Sequence, residues 1–313
     1  MSSNAPRSID DYLEQLRAAL EGEDPALIQD ALYDAEEYLR AEVAAHPDKS
    51  EPDVLELIAS TYGAPDEVAA AYRDTEVKVK AALRTPARAA ADHESGARRF
   101  FGVFLDPRAY LSLFYMLLTL ATGIAYFTFV VTGLSLSAGL AILIIGVPFF
   151  LAFVGIARVI SLGEGRLLEA ITGERMPRRP VHPGPRTSWW SRIGAMLTDT
   201  RTWTTLLYFL IMLPLGIIYF VSAIVGLSIG GRLAIAPLVL IGRHAGWLGE
   251  HLSLFDITVG SHYWSVPSAG SVLGSLLLCA LGIVILTLLM HAARGIARAH
   301  VRLAKALLVE PGA

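Results

Sequence analysis

Four stretches of about twenty residues in this chain contain no Asp, Glu, Lys or Arg: 110–131, 138–157, 203–225 and 271–290. A helix of that length spans roughly 30 Å, the thickness of a bilayer's hydrocarbon core. Lipid offers the backbone no hydrogen bonds, so a spanning segment must satisfy its own N–H and C=O groups. Tyr110, Tyr115, Tyr126, Trp203 and Tyr219 lie near span ends and suit the membrane interface.

The apolar half is also written twice. Asp106-x-Arg108, Tyr115, Gly123, Tyr126-Phe127 and Gly133-Leu134-Ser135 recur 93 positions later as Asp199-x-Arg201, Tyr208, Gly216, Tyr219-Phe220 and Gly226-Leu227-Ser228. The second spans correspond at an offset of 136: Gly146 with Gly282, Arg158 with Arg294, Arg166 with Arg302. Duplicated spans are a common way to build membrane domains. The larger second offset marks an insertion in the second copy, at about 228–270. Each Gly-Leu-Ser is expected to begin the turn between its two spans.

Loop charge sets the expected orientation. The segment 160–202 carries Arg166, Arg175, Arg178, Arg179, Arg186, Arg192 and Arg201, and the tail carries Arg294, Arg298, Arg302 and Lys305. The link at 133–137 has no basic residue, and the insertion has only Arg232 and Arg243. Both termini are therefore expected in the cytoplasm, with the repeats parallel and the insertion outside. The expected location is a membrane that has its basic loops on the cytoplasmic side. The proline-rich basic run 175–186 reads as an extended linker on the inner surface.

The first third of the chain has the opposite character. Residues 1–77 hold 19 acidic against 5 basic side chains, and 78–108 reverse the balance. The acidic block excludes direct nucleic-acid binding, since phosphate is repelled. The basic stretch suits anionic headgroups and the cytoplasmic side. Residues 8–20 are acidic and amphipathic, unlike the basic start and apolar run of a signal peptide.

Residues 8–77 read as a helical module. Ser8 caps the first helix, with Leu13, Leu16 and Leu20 at helical spacing. Asp24-Pro25 is an N-cap followed by proline at the first helical position. The next helix places Ile28, Leu32, Ala35, Leu39 and Val43 on one face. Pro52 starts a third helix, Gly63 closes it, and Pro65 opens a fourth. The fold class is therefore all-α. It combines a small cytoplasmic bundle (8–77), a basic juxtamembrane linker (78–107) and a four-helix transmembrane domain (108–306). The last is built from a parallel two-span repeat (106–173 and 199–309) with a small extracytoplasmic insertion.

Tyr12-Leu-x-x-Leu16, Asp34-x-Glu36-Glu37-Tyr38 and Tyr62-Gly63-x-Pro65-x-Glu67-Val68-Ala69-x-x-Tyr72 resemble the HAAS module (hairpin alpha-helical associated with sensors), related to the DUF1700 proteins. The four-span repeat resembles the "putative sensor" membrane domain of some bacterial histidine kinases. The first resemblance implies a cytoplasmic signalling partner, such as a PadR-type transcription regulator. The second implies sensing of an envelope signal. Unlike the kinase-linked members, this chain has only about twenty residues after the fourth span, too few for a kinase core. The expected output module is therefore N-terminal, with Asp34, Glu36, Glu37, Asp66 and Glu67 as its candidate partner surface.

The insertion supplies the candidate ligand loop: His244, Trp247, Glu250, His251, Asp256, His262, Tyr263 and Trp264. Aromatic and polar residues of this kind can hold an extracytoplasmic small molecule. Their histidine and carboxylate spacing matches no known metal pattern, so no metal or other cofactor is expected. Phe255–Val259 alternates like a short strand. The apolar run 233–241 is too short to span and fits a strand, a re-entrant piece or an interfacial cap equally. The single cysteine, Cys279, excludes a disulfide framework.

The sequence has no phosphate-binding Gly-rich loop, nucleophile elbow or zinc-protease helix, and no catalysis is expected. The spans also carry none of the ionisable groups usual in ion-coupled transporters. The reading is thus a non-catalytic membrane sensor acting on a cytoplasmic partner. A transport or permease-associated component regulated by the N-terminal module is the alternative. A homo-oligomer is compatible with either.

Overall fold

In the N-terminal module, capping sets the helix boundaries. The computed structural model describes residues 6–83, 96–142, 145–177, 194, 198–247, 253–259, 262–267 and 272–309. Helix α1 (Ile9–Ala19) starts where the Ser8 hydroxyl accepts the Asp11 N–H at 3.1 Å. Helix α2 (Pro25–Ala45) starts where Asp24 accepts the Ala26 N–H at 2.9 Å, with Pro25 at the first position. Each cap occupies an N–H that the helix itself leaves unbonded. Helix α3 (Glu51–Thr61) ends in Tyr62 and Gly63, and α4 runs Pro65–Leu83. Gly63 has φ 109°, a left-handed conformation that favours glycine.

These helices share one core. Tyr12, Leu16 and Leu20 meet Leu27, Ala31, Ala35 and Leu39, with Val54, Leu55, Ile58, Val68 and Ala69 completing it. The buried row on α2 steps by four from Leu27 to Leu39. Of the expected face, Ala35 and Leu39 lie in this row, whereas Ile28, Leu32 and Val43 flank the core, partly buried. The tyrosines tie the helices together. Tyr12 Oη donates to the Gly63 carbonyl at 2.9 Å, and Tyr72 Oη donates to Asp34 Oδ2 at 3.2 Å. Tyr38 stacks on Tyr62 with ring centroids 4.4 Å apart.

After a short helix α5 (Gly96–Phe101) and a 3-10 turn come α6 (Pro107–Leu140), α7 (Gly146–Thr172), α8 (Thr200–Ala234), α9 (Ala236–His244) and α10 (Val272–Leu308). Helices α6, α7, α8 and α10 are long and apolar enough to cross a membrane. The chain is a multi-pass membrane protein.

The structure corrects two expected boundaries. Gly133-Leu134-Ser135 and Gly226-Leu227-Ser228 are helical, not turns, because α6 and α8 run straight through them. Only past Leu140 does the chain turn, and α7 begins at Gly146 rather than 138. Glycine here permits packing rather than reversal. A Cβ on Gly133 would strike the Phe153 ring, and one on Gly226 would lie 2.9 Å from Leu289. Phe153 and Leu289 are 136 positions apart, like Gly146 and Gly282.

The run 233–241 resolves into the end of α8 and most of α9. Ala236 and Val239 of α9 pack with Leu278 of α10, while Leu238 and Ile241 are exposed. The rest of the described insertion is a hairpin, β1 (Ser253–Val259) antiparallel to β2 (His262–Pro267), which contains the expected strand at 255–259.

By contact the chain divides into two units, Met1–Ala89 with Thr128–Phe209 and His300–Ala313, and Ala90–Phe127 with Leu210–Ala299. In the second unit, α6 and α8 approach backbone to backbone. A Cβ on Gly123 would lie 2.6 Å from the Met212 carbonyl oxygen, and one on Gly216 2.5 Å from that of Thr119. The contact is reciprocal at the 93-residue offset: Thr119 corresponds to Met212, and Gly123 to Gly216. In the same unit His291 Nε2 lies 3.0 Å from the Phe100 carbonyl, so this histidine is a packing partner of α5.

Candidate functional site

The matched Asp106 and Asp199 each do two jobs. One carboxylate oxygen caps the following helix, accepting the N–H of Arg108 or Arg201 at 3.0 Å. The other oxygen pairs with an arginine, Arg294 at 3.2 Å for Asp106 and Arg158 at 3.1 Å for Asp199. Arg158 and Arg294 are themselves matched positions. Asp106, before α6, thus pairs with an arginine of α10, and Asp199, before α8, with an arginine of α7.

Arg175 lies just past the end of α7, which closes on left-handed Gly173 (φ 72°). This lets the chain leave the helix axis and turn Arg175 onto the N-terminal module. Its Nη2 meets Asp30 Oδ2 of α2 at 2.9 Å, and its Nη1 bonds Glu76 of α4. The three side chains are 9%, 5% and 3% exposed. Burial acts to lower the Arg175 pKa, but the hydrogen bond it donates to Asp30 and the charge of Glu76 outweigh it and hold it above the usual value. The guanidinium is therefore charged at every accessible pH.

Two more basic groups meet the same module. Arg201, in the first turn of α8, donates to Gln29 Oε1 at 3.1 Å and to the Leu308 carbonyl at 2.8 Å. Lys305 of α10 donates to Asp24 Oδ2 at 3.0 Å. Asp24 thus caps α2 with one oxygen and binds Lys305 with the other.

Nearby, in the same unit, is a buried polar node. Tyr208 Oη lies 2.9 Å from His300 Nε2 and 3.4 Å from Glu164 Oε1, and none of the three side chains reaches solvent appreciably. Glu164 and His300 lie beyond the charge-free runs, on the helical extensions of α7 and α10. Sequence reasoning passed over them because it ended these two spans at 157 and 290, before Arg158 and His291. The available signal was apolar helical periodicity continuing to Leu168 and Ile171, and to Val301 and Ala304.

The five acidic residues expected to face a partner fall into two groups. Asp34 accepts from Tyr72, and Glu36 is buried and bonded to Arg40 at 2.6 Å. Both are engaged within the module. Glu37, Asp66 and Glu67 are exposed, and Glu67 also accepts the Ala64 N–H at 3.1 Å. Of the ligand-loop residues, His244 ends α9 with Nδ1 2.9 Å from the Leu240 carbonyl, and Trp247 is 82% exposed. In the hairpin Asp256 registers with Ser265, Thr258 with Tyr263, Ile257 with Trp264 and Val259 with His262. Glu250 and His251 lie outside the described residues. Among the described residues no His, Cys, Asp and Glu group gathers at a metal-binding spacing.

The family model described as Putative sensor covers residues 115–308, well over half of the chain, and the chain belongs to that family. It therefore matches α6 through α10 and leaves the N-terminal module outside. Neither the curated proteins nor the solved structures yield a match.

Proposed function

We propose that this member of the sensor family is a non-catalytic receptor of a bacterial cytoplasmic membrane, with both termini in the cytoplasm. An envelope signal acts on the insertion at 228–270, and the acidic N-terminal module passes it to a cytoplasmic regulator of the PadR type. The observation that carries this reading is the attachment of one soluble bundle to three membrane-helix ends, through Arg175, Arg201 and Lys305. A ligand that favours one packing of those helices then shifts the state of the module as well.

The experiment is a deletion pair read against the regulator's target genes in cells. Removing the module should abolish the response to envelope stress. Removing 245–270 should leave the protein inserted, with its output fixed in one state. A stress response that survives loss of the module would overturn the relay. Membrane-impermeant labelling of cysteines placed at Glu56 and Trp247 tests the orientation, with only the second labelled in intact cells.

A further inference from the structure

The contact between the module and the helix ends differs in kind from the module's interior. The α1–α4 core is closed within the module by Tyr12, Leu16, Leu39, Ile58 and their neighbours. The attachments to α7, α8 and α10 are polar: Arg175 with Asp30 and Glu76, Arg201 with Gln29, and Lys305 with Asp24. Asp30 and Glu76 lie off the module's core and are buried where Arg175 meets them. A module that closes its own core can leave such a contact and stay folded.

The energetics of a buried ion pair suit a contact that opens. Removing both charges from water costs nearly what their attraction returns, so the intact pair lies close to balance. The Arg175 Nε is buried with no acceptor among the described residues, which brings the balance closer still. Removing one partner is different, because it strands the other charge in a dry site.

We propose that Arg175, Arg201 and Lys305 form a releasable electrostatic clasp, with Arg175 as its centre, and that its opening is the step that uncovers the α2–α4 face of the module. The surface then presented carries Asp24, Gln29, Asp30 and Glu76, not the Asp34 and Glu36 side chains that the module uses internally. The proposal rests on the module being the output element, but its opening can be measured with no partner present.

The test is a pair of spin labels on the full-length protein in nanodiscs, with Cys279→Ser as background. Labels at exposed Glu56 and Arg166 report the distance between module and α7, and labels at Glu14 and Glu56 report the fold of the module. The parent should give one narrow distance for each pair. Arg175→Glu should shift the docked-to-open ratio on the order of 100-fold toward open, and leave the second pair narrow. Adding Asp30→Arg should restore docking, and Arg175→Lys, without the bidentate fork, should fall between. An unchanged first distance in Arg175→Glu would overturn the clasp. So would broadening of the second pair, which would make Arg175 a folding residue. Failure of the sensor reading looks different: the clasp opens, and the regulator's output does not change.

Discussion

The reciprocal approach of α6 and α8 can be tested by adding single methyl groups. In Gly123→Ala the new Cβ lies 2.6 Å from the Met212 carbonyl oxygen and 3.0 Å from Leu213 Cα. Ordinary contact needs about 3.4 Å or more, so the helices must separate by roughly 0.8 Å, because a backbone oxygen cannot swing aside as a side chain can. Overpacking of this kind costs about 1–3 kcal/mol, partly offset by up to ~1 kcal/mol for replacing glycine in a helix. Gly216→Ala meets the Thr119 oxygen in the same way and should lose a similar amount. Both substitutions push on one seam, so the double variant should lose less than the sum. Gly155 and Gly163 of α7 are the controls, because a Cβ on either meets nothing within 4 Å. Thermal unfolding in detergent micelles measures all five variants. Equal midpoints for Gly123→Ala and Gly155→Ala would refute the close approach.

Three further outcomes are expected. Burial raises the Tyr12 and Tyr72 pKa values, and the charges of Glu67 beside Tyr12 and Asp34 beside Tyr72 add to this. The folded module therefore holds protons that the unfolded chain releases near pH 10, and its stability should fall as pH rises above that value. Circular dichroism of the full-length protein with absorbance at 295 nm checks this, and a Tyr12→Phe/Tyr72→Phe variant that absorbs less than the parent at pH 10 while both stay folded would contradict it. Tyr208→Phe deletes the hydroxyl between His300 and Glu164 in a buried site and should cost about 1–3 kcal/mol, seen as a lower unfolding midpoint. An environment-sensitive fluorophore on a cysteine at Leu238, which is 67% exposed on apolar α9, should emit as in lipid when the protein is in vesicles; water-like emission would refute a lipid-facing α9.

What could be read from sequence depended on whether the signal was local. Ser8, Asp24-Pro25 and Gly63 act on their own backbone neighbours, and each lies at the helix boundary expected of it. The two Gly-Leu-Ser segments misled because glycine stands equally for a turn and for close helix contact. Only the partner decides, and Phe153 and Leu289 lie 20 and 63 positions away in sequence. The clasp was hidden for the same reason. Arg175 looked like one basic residue in a charged linker, until the fold brought it to Asp30 across 145 positions. The spans were legible from missing charge alone. Their length was not, since Glu164 and His300 are carried on helix that continues past the apolar run.

Because Gly123 meets the backbone at 212–213 while Gly216 meets that at 119–120, each half of the seam holds both the cleft and the ridge that fills it. Each helix of the seam therefore both receives the other's backbone and presents its own. The register of α6 against α8 is set at two points rather than one, and sliding either helix by a turn would replace both glycine contacts with side chains at once.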